Sequence, residues 1–362
     1  ACFYPDKPGR DYITVRGFRM CHAATQWAPP TAEQIALIGT HWSKGWIIEN
    51  NSIHDSRCSG ITLGKDRKTG QNVWSNNPSK DGATHYNEVI LRALKAGWSK
   101  ETIGSHIVRN NTIFNCEQTG MCGSLGAVFS RIENNHIYNI WTQRQFTGAE
   151  IAGIKIHAAI DMVIQDNLIH NAGRGLWMDW MAQGTHITRN ICYDNTTDDL
   201  FVEVNHGPFL VDNNLFLSEL SLRDWSEGGA YAHNLFAGTI QSRPVLGRST
   251  PYHDAHSTDL AGVTKIHGGD NRFFNNMFIG NGETPEDIPK GGQTSEESTI
   301  GYGLWVYNVR EYPLKTGGNV YFNGAQPSYL EMNPLDLAEF DPKSEIIEKD
   351  GIKYEADGET PY

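Results

Sequence analysis

The chain has 362 residues, 39% of them hydrophobic, with 37 glycines, a composition that supports a large core and excludes disorder. Its 30 basic residues stand against 42 acidic ones, a formal net charge of −12, so no phosphate-neutralising surface is expected and nucleic acid is excluded as a partner. No run of about 18 apolar residues occurs, and the opening ACFYPDKPGR lacks the charged and apolar regions of a secretory signal, so neither a membrane span nor a retained signal is expected.

The chain begins without Met, close to the strand-like DYITVRGFRM, which fits a piece of a longer protein. The six cysteines (Cys2, Cys21, Cys58, Cys116, Cys122 and Cys192) show no CxxC spacing, so neither a zinc ribbon nor a disulfide framework is signalled. Free thiols in a reducing compartment, hence a cytoplasmic location, are the expectation.

From residue 47 onward one phrase recurs: IIENNSIHD, IVRNNTIFN, RIENNHIYN, VIQDNLIHN, ITRNICYDN, LVDNNLFLS, YAHNLFAG and FFNNMFIGN. Each is a short apolar strand, an Asn and a second short strand. The Asn residues are Asn51, Asn111, Asn135, Asn167, Asn190, Asn214, Asn234 and Asn276, with gaps of 60, 24, 32, 23, 24, 20 and 42. A basic period of 20 to 24 with Asn at the corner predicts an all-β right-handed parallel β-helix over 1–325, Asn supplying both the left-handed corner and a ladder of amides. A leucine-rich repeat would need a Leu lattice, and a propeller needs about 40 residues per blade.

Three long gaps mark inserted loops at 62–104, 141–153 and 239–269, the first ending in the helix-like NEVILRALKAG. These are candidate walls of a cleft. Beyond GYGLWVYNVREYPLKTGGNVYFNG, read as the last coil, residues 326–362 change character and read as a tail or the start of a β-sandwich module.

Within this frame, GLWMDW (175–180) and LFVEVNHGP (200–208) gain a geometric meaning. Asp179 lies 11 residues before Asn190, and Glu203 lies 11 before Asn214, so both occupy equivalent positions on consecutive coils. Coils stack about 4.8 Å apart, which places the two carboxyl groups on the order of 5 Å from one another. Strand alternation sends Leu176, Met178, Leu200, Val202 and Val204 inward and leaves Trp177, Asp179, Phe201, Glu203 and Asn205 on an outward, aromatic-lined ladder. Two like charges so close must share a proton, and spacing near 5 Å is the spacing of retaining glycoside hydrolysis, in which one carboxylate attacks the sugar and the other handles the proton.

A lone carboxylate on a strand surface is ordinarily just solvated; the stacked pair is what shifts the balance. Asp198 and Asp199 are read as turn residues, like Asp194 and Asp212 in the corners. His157 stands four residues after Gly153, as Asp179 stands four after Gly175, which places His157 on the coil next to Asp179, either as a substrate contact or as a satisfied surface His. Glu150, in GAEIAG, is weighed between a sugar ligand and a solvated loop acid. Trp177, Trp180, Asn205 and His206 flank the pair and complete the candidate substrate contacts. His253, Asp254 and His256 resemble a metal cluster only loosely, lacking helical spacing, so no metal and no cofactor is expected.

The blocks GIKIHAAIDMVIQDNLIHNAGRGLWMDW and DLFVEVNHGPFLVDNNLF resemble glycoside hydrolase family 120, β-xylosidases on a right-handed parallel β-helix with an associated β-sandwich. The resemblance covers most of residues 3–325. It implies a retaining exo-acting β-xylosidase on xylobiose and short xylo-oligosaccharides, with Asp179 as nucleophile, Glu203 as acid/base and Glu150 as a ligand of the nonreducing-end sugar. It also implies a protein longer than this chain. The residues alone leave open a pectate-lyase-like enzyme, an inverting polygalacturonase-type hydrolase and a noncatalytic carbohydrate-binding solenoid, and they do not fix the sugar. An open-ended solenoid must cap its coils, by the tail or by a partner subunit in a homo-oligomer.

Overall fold

A computed structural model describes residues 1–30, 32–65, 82–291, 294–344, 346–349 and 352–354. Three parallel sheets of short strands run the length of the molecule, one strand per coil. The first has ten strands from Thr14–Arg16 to Lys315–Gly317, and the second has eleven from Arg19–Ala23 to Leu335–Leu337. The third runs from Ile38–Gly39 to Thr239–Ser242 and is closed by the antiparallel Thr299–Gly301. This is the β-helix that the repeat predicts. Stacking continues past residue 325, because Leu335–Leu337 pairs in parallel with Val320–Phe322, and the tail then forms a small antiparallel hairpin of Ile347–Lys349 and Ile352–Tyr354.

Side-chain period two decides what fills the coil. Ile48, Val108, Ile132, Ile164, Ile187, Val211, Tyr231 and Phe273 form one inward column in strict register, every member 1% exposed or less. In the second sheet the column turns aromatic, with Phe216, Phe236, Phe278 and Tyr321 stacked at 5.1–5.5 Å. Each such side chain contributes roughly 1.5–3 kcal/mol on burial.

The corner between the first two sheets divides between adjacent residues the two tasks that the sequence assigns to Asn alone. The ladder amides are those of Asn51, Asn111, Asn135, Asn167, Asn190, Asn214, Asn234 and Asn276, each donating through Nδ2 to the Oδ1 of the next at 2.9–3.0 Å. The left-handed backbone belongs to the residue before each: Asn50, Asn110, Asn134, Asp166, Arg189, Asn213, His233 and Asn275 have φ between 53° and 57°. Asn319 adds a further rung, and Glu331 Oε1 caps the ladder by accepting from Asn319 Nδ2 at 2.9 Å.

Helix α1 (Gly82–Lys95) emerges from the first insertion and lies against the corner that follows the third sheet. Its apolar stripe is Tyr86, Val89, Ile90 and Ala93, spaced 3 and 4 apart, and it packs with Leu125, Val128, Ala158, Trp180, Met181 and Val204. A Schellman turn ends it: Gly97, at φ 90°, donates to Leu94 O and Trp98 donates to Ala93 O. The insertion at 239–269 is an antiparallel hairpin, Val245–His253 with Leu260–Ile266, rather than irregular loop. It is tied down where Gln183 Nε2 donates to His253 O at 2.6 Å and where His206 Nε2 meets Thr250 O at 3.1 Å. The six cysteines form no disulfide.

Candidate active site

The third sheet carries the site because its outward columns are the ones that the insertions cover. Ser124, His157, Asp179, Glu203 and Trp225 are successive register partners, one per coil. Two residues earlier a second column reads Cys122, Lys155, Trp177, Phe201 and Arg223. Leu176, Met178, Leu200 and Val202 face the main core, while Trp177 and Phe201 form a separate outward cluster. Gly175 allows the coils to close up, since a Cβ there would lie 2.5 Å from Asp199 O.

Asp179 and Glu203 are therefore Cα partners on neighbouring strands of the outer face. Both are shielded from solvent, their side chains 7% and 12% exposed, where the sequence predicts a solvent-facing ladder. The cover comes from Tyr86 of α1, whose ring lies 4.7 Å from that of His157, and from the hairpin, whose Arg248 pairs with Glu203 Oε1 at 2.5 Å.

At the His157 end the site is blind. Lys155, fully buried, places Nζ 3.0 Å from Asp179 Oδ2, 3.1 Å from Glu150 Oε2 and against His157 Nε2. His157 Nε2 thus meets both the Lys155 ammonium and Asp179 Oδ2, the latter at 3.0 Å. Burial, with the cations Lys155, Lys65 and Arg248 around it, holds His157 well below the usual imidazole range. Gln34 Nε2 donates to Glu150 Oε1 at 3.1 Å, and Lys65 Nζ donates to Ser124 Oγ at 3.3 Å beneath the Tyr86 ring.

Burial and the neighbouring Glu203 charge push Asp179 up to about 8, against the pull of Lys155 and Arg248. Burial likewise raises Glu150 to about 7, opposed by Lys155 and Lys65, and lowers Lys65 to about 7. Lys155 moves upward: burial opposes its charge, but Asp179 and Glu150 outweigh it. Asp179 thus keeps its proton into the neutral range, with the Glu203 carboxylate beside it as the second cause after burial.

The structure brings together Asp179, Glu203, His157, Glu150 and Trp177. It overturns the solvated reading of Glu150, which is fully buried at φ 68°, and the surface reading of His157, which is 2% exposed and 3.0 Å from Asp179 Oδ2. Trp177 donates through Nε1 to Glu203 Oε2 at 3.1 Å, while its ring carries Lys155 and Arg174 and stacks on Phe201. The protein's own groups thus engage that ring.

Other predicted contacts lie elsewhere. The left-handed Val204 (φ 52°) resets the alternation, so Val204 joins the α1 cluster and Asn205 turns into the coil. There Asn205 Oδ1 accepts from Ala182 N at 2.7 Å and Nδ2 donates to Met178 O at 3.0 Å, a structural role in place of the expected sugar contact. His206 bridges Glu227 and Thr250, anchoring the hairpin. Trp180 is packed between Tyr86 and Arg248. Asp198 and Asp199 are fully buried strand residues, not turn residues: Asp198 is clasped by Arg174 and Arg223, and Asp199 accepts from Ser218 and Asn195. His253 and His256 point to different partners, Thr258 O and Asp161, and among the described residues no group of three or more His, Cys, Asp or Glu is arranged to hold a metal.

Lys155 and Arg248 are the members that sequence reasoning missed. For Lys155 the signal was present: in GIKIH it lies two residues before His157, the offset that separates Trp177 from Asp179. Arg248 arrives from a hairpin 45 residues beyond Glu203, and no local pattern announces it.

A family model described as a right-handed β-helix region matches residues 37–234. Among solved structures, XylC in complex with xylose aligns over 98% of this chain at 48% identity with a TM-score of 0.89. The aligned part is 57% of the XylC chain, so this chain spans little more than half of that length. An alginate lyase from Paenibacillus sp. str. FPU-7 covers 93% of this chain and 93% of its own at 10% identity and a TM-score of 0.39. The PL6 family alginate lyase AlyGC covers 98% of this chain and 53% of its own at 12% identity and a TM-score of 0.38. No curated protein matches the chain in sequence.

Proposed function

This chain belongs to the right-handed β-helix family, and we propose that it is a retaining, exo-acting β-xylosidase, releasing xylose from xylobiose and short xylo-oligosaccharides by double displacement. The observation that carries the reading is the register pairing of Asp179 with Glu203 on the outer face. Neighbouring strands lie about 4.8 Å apart, close to the roughly 5–5.5 Å of retaining glycosidases and short of the roughly 6.5–9.5 Å that an inverting enzyme needs to seat water. The 48% identity to XylC, solved with xylose, supports a pentose as the sugar.

The two ends of the cleft support Asp179 as nucleophile and Glu203 as acid/base. Around Asp179, the side chains of Lys155 and Glu150 are fully buried and that of His157 is 3% exposed, a blind end suited to one terminal sugar. Past Glu203 the cleft opens: Arg248 is 27% exposed and Arg223 is 18%. Glu203 thus stands on the leaving-group side, where a proton donor is required. Lys155, kept charged by its two carboxylates, pulls against the burial that raises Asp179 and stabilises the nucleophile in its ionised form. Asp179 attacks the anomeric carbon as Glu203 protonates the departing oxygen; Glu203 then deprotonates the water that releases xylose. A lyase would take Lys155 as its base, but a lysine held charged between two carboxylates has no lone pair to offer.

The test is chemical rescue. Asp179→Ala should lose activity on 4-nitrophenyl β-xyloside, and azide should restore part of it with an inverted glycosyl azide. Glu203→Ala should retain turnover of substrates with good leaving groups. The reverse pattern swaps the roles, and wild-type product of inverted configuration in a proton NMR time course ends the retaining reading.

A further inference from the structure

One rung beyond Glu203, the outer face changes from acid to base. Trp225 is the Cα partner of Glu203, and two guanidiniums lie against its ring, Arg223 at 5.7 Å and Arg243 at 5.1 Å. Arg174 and Arg223 also flank Phe201, at 4.7 Å and 5.5 Å. Two of the three arginines share a single carboxylate, Asp198, which Arg174 Nη1 and Arg223 Nε both contact. Arg243 is exposed and has no ion pair among the described residues.

This excess of positive charge stands on a chain of net charge −12. A guanidinium carries five N–H groups in a fixed fork, and hydrogen bonds among the described residues use one on Arg174, one on Arg223 and none on Arg243. The remaining donors face a partly open surface, since the side chains of Arg174 and Arg223 are 19% and 18% exposed. The Trp225 and Phe201 rings hold the guanidiniums 4.7–5.7 Å from their centroids by cation–π attraction, which leaves the unused N–H donors for a ligand. Planar guanidiniums with free N–H edges are suited to bidentate pairing with a carboxylate.

We propose that Arg223 and Arg243, on the Trp225 platform, form a leaving-group subsite for an acidic sugar, a uronate branch carried by the xylose next to the scissile bond. The position rests on the functional reading above, because it is the open side of Glu203 that makes this rung the leaving-group side. The site would bind the branch through its carboxylate, while the blind end receives the terminal, unbranched xylose.

Calorimetric titration of the wild-type protein with the aldobiouronic acid of glucuronate on xylose, beside xylose and free glucuronate, measures this without turnover. We expect the aldobiouronic acid to bind at least about fivefold more tightly than either single sugar, near the upper range of one partly exposed ion pair. The preference should vanish in 0.5 M NaCl and in Arg243→Gln. Equal binding of the aldobiouronic acid and xylose, a preference that survives Arg243→Gln, or tighter binding of free glucuronate overturns the proposal. Release of nitrophenol from 4-nitrophenyl β-xyloside reports separately on the hydrolase. Turnover with equal binding removes the uronate subsite and keeps the glycosidase, and an Arg243-dependent preference without turnover does the opposite.

Discussion

Lys155 Nζ stands 3.0 Å from Asp179 Oδ2 and 3.1 Å from Glu150 Oε2, its side chain wholly out of solvent. A buried ion pair adds little net stability when intact, but removal of one partner strands the charge of the other, at a cost of about 3–5 kcal/mol. Lys155→Met should therefore destabilise the fold by about that amount in urea titration and abolish turnover. Adding Glu150→Gln should recover part of the stability, and additive losses in that double-mutant cycle would show that the two side chains do not act as a unit.

Arg248 offers the contrasting case. It reaches Glu203 from a hairpin held independently by Gln183 with His253 and His206 with Thr250, and its own side chain is 27% exposed. Arg248→Met should leave the melting temperature within a few degrees of wild type. It removes a charge-assisted contact of about 1.5–3 kcal/mol, which corresponds to roughly 10- to 100-fold in kcat/KM on 4-nitrophenyl β-xyloside. A large fall in melting temperature with unchanged kcat/KM would assign Arg248 to the fold instead.

The period of the Asn phrases carried most of this molecule, because one corner amide per coil fixes both the rise and the strand register. That register placed Asp179 beside Glu203, and the shared offset from Gly153 and Gly175 placed His157 beside Asp179. Alternation failed at Val204, where a single left-handed residue turned Asn205 inward; a β-branched Val gives no cue for φ 52°. Burial of the site was illegible for a different reason. The cover, Tyr86 and Arg248, comes from insertions whose contacts are long-range, and a repeat describes only neighbours.

The raised acids fix the direction of the pH dependence of stability. Asp179 at about 8, and Glu150, Asp199 and Asp224 each at about 7, lie above their ordinary values of 3.8 to 4.5, burial being the leading cause in every case. Between those ordinary values and the folded ones the native state holds more protons than the unfolded chain, so stability is greatest below about 4 for these groups and is lost as pH rises toward 8. The melting temperature should therefore be higher at pH 6 than at pH 8.5 in buffers of equal ionic strength. A melting temperature that rises over that interval would mean the buried carboxyls are ionised throughout.

Asn190 tests the ladder at the level of a single amide. It is fully buried; its Oδ1 accepts from Asn167 N and Nδ2, and its Nδ2 donates to Ile164 O, Thr188 O and Asn214 Oδ1. Truncation to Ala leaves donors of Asn167 and acceptors on the neighbouring coils without a partner or water to replace it. Each unsatisfied buried group costs about 1–3 kcal/mol, so Asn190→Ala should lose at least about 3 kcal/mol. The neighbouring Arg189, left-handed at φ 53° and paired with Asp166 on the surface, makes no ladder bond. Arg189→Gly should stay within about 1 kcal/mol of wild type, since glycine adopts that conformation without strain. Comparable losses at the two positions in urea titration would mean that corner backbone geometry, and not the amide ladder, holds the coils in register.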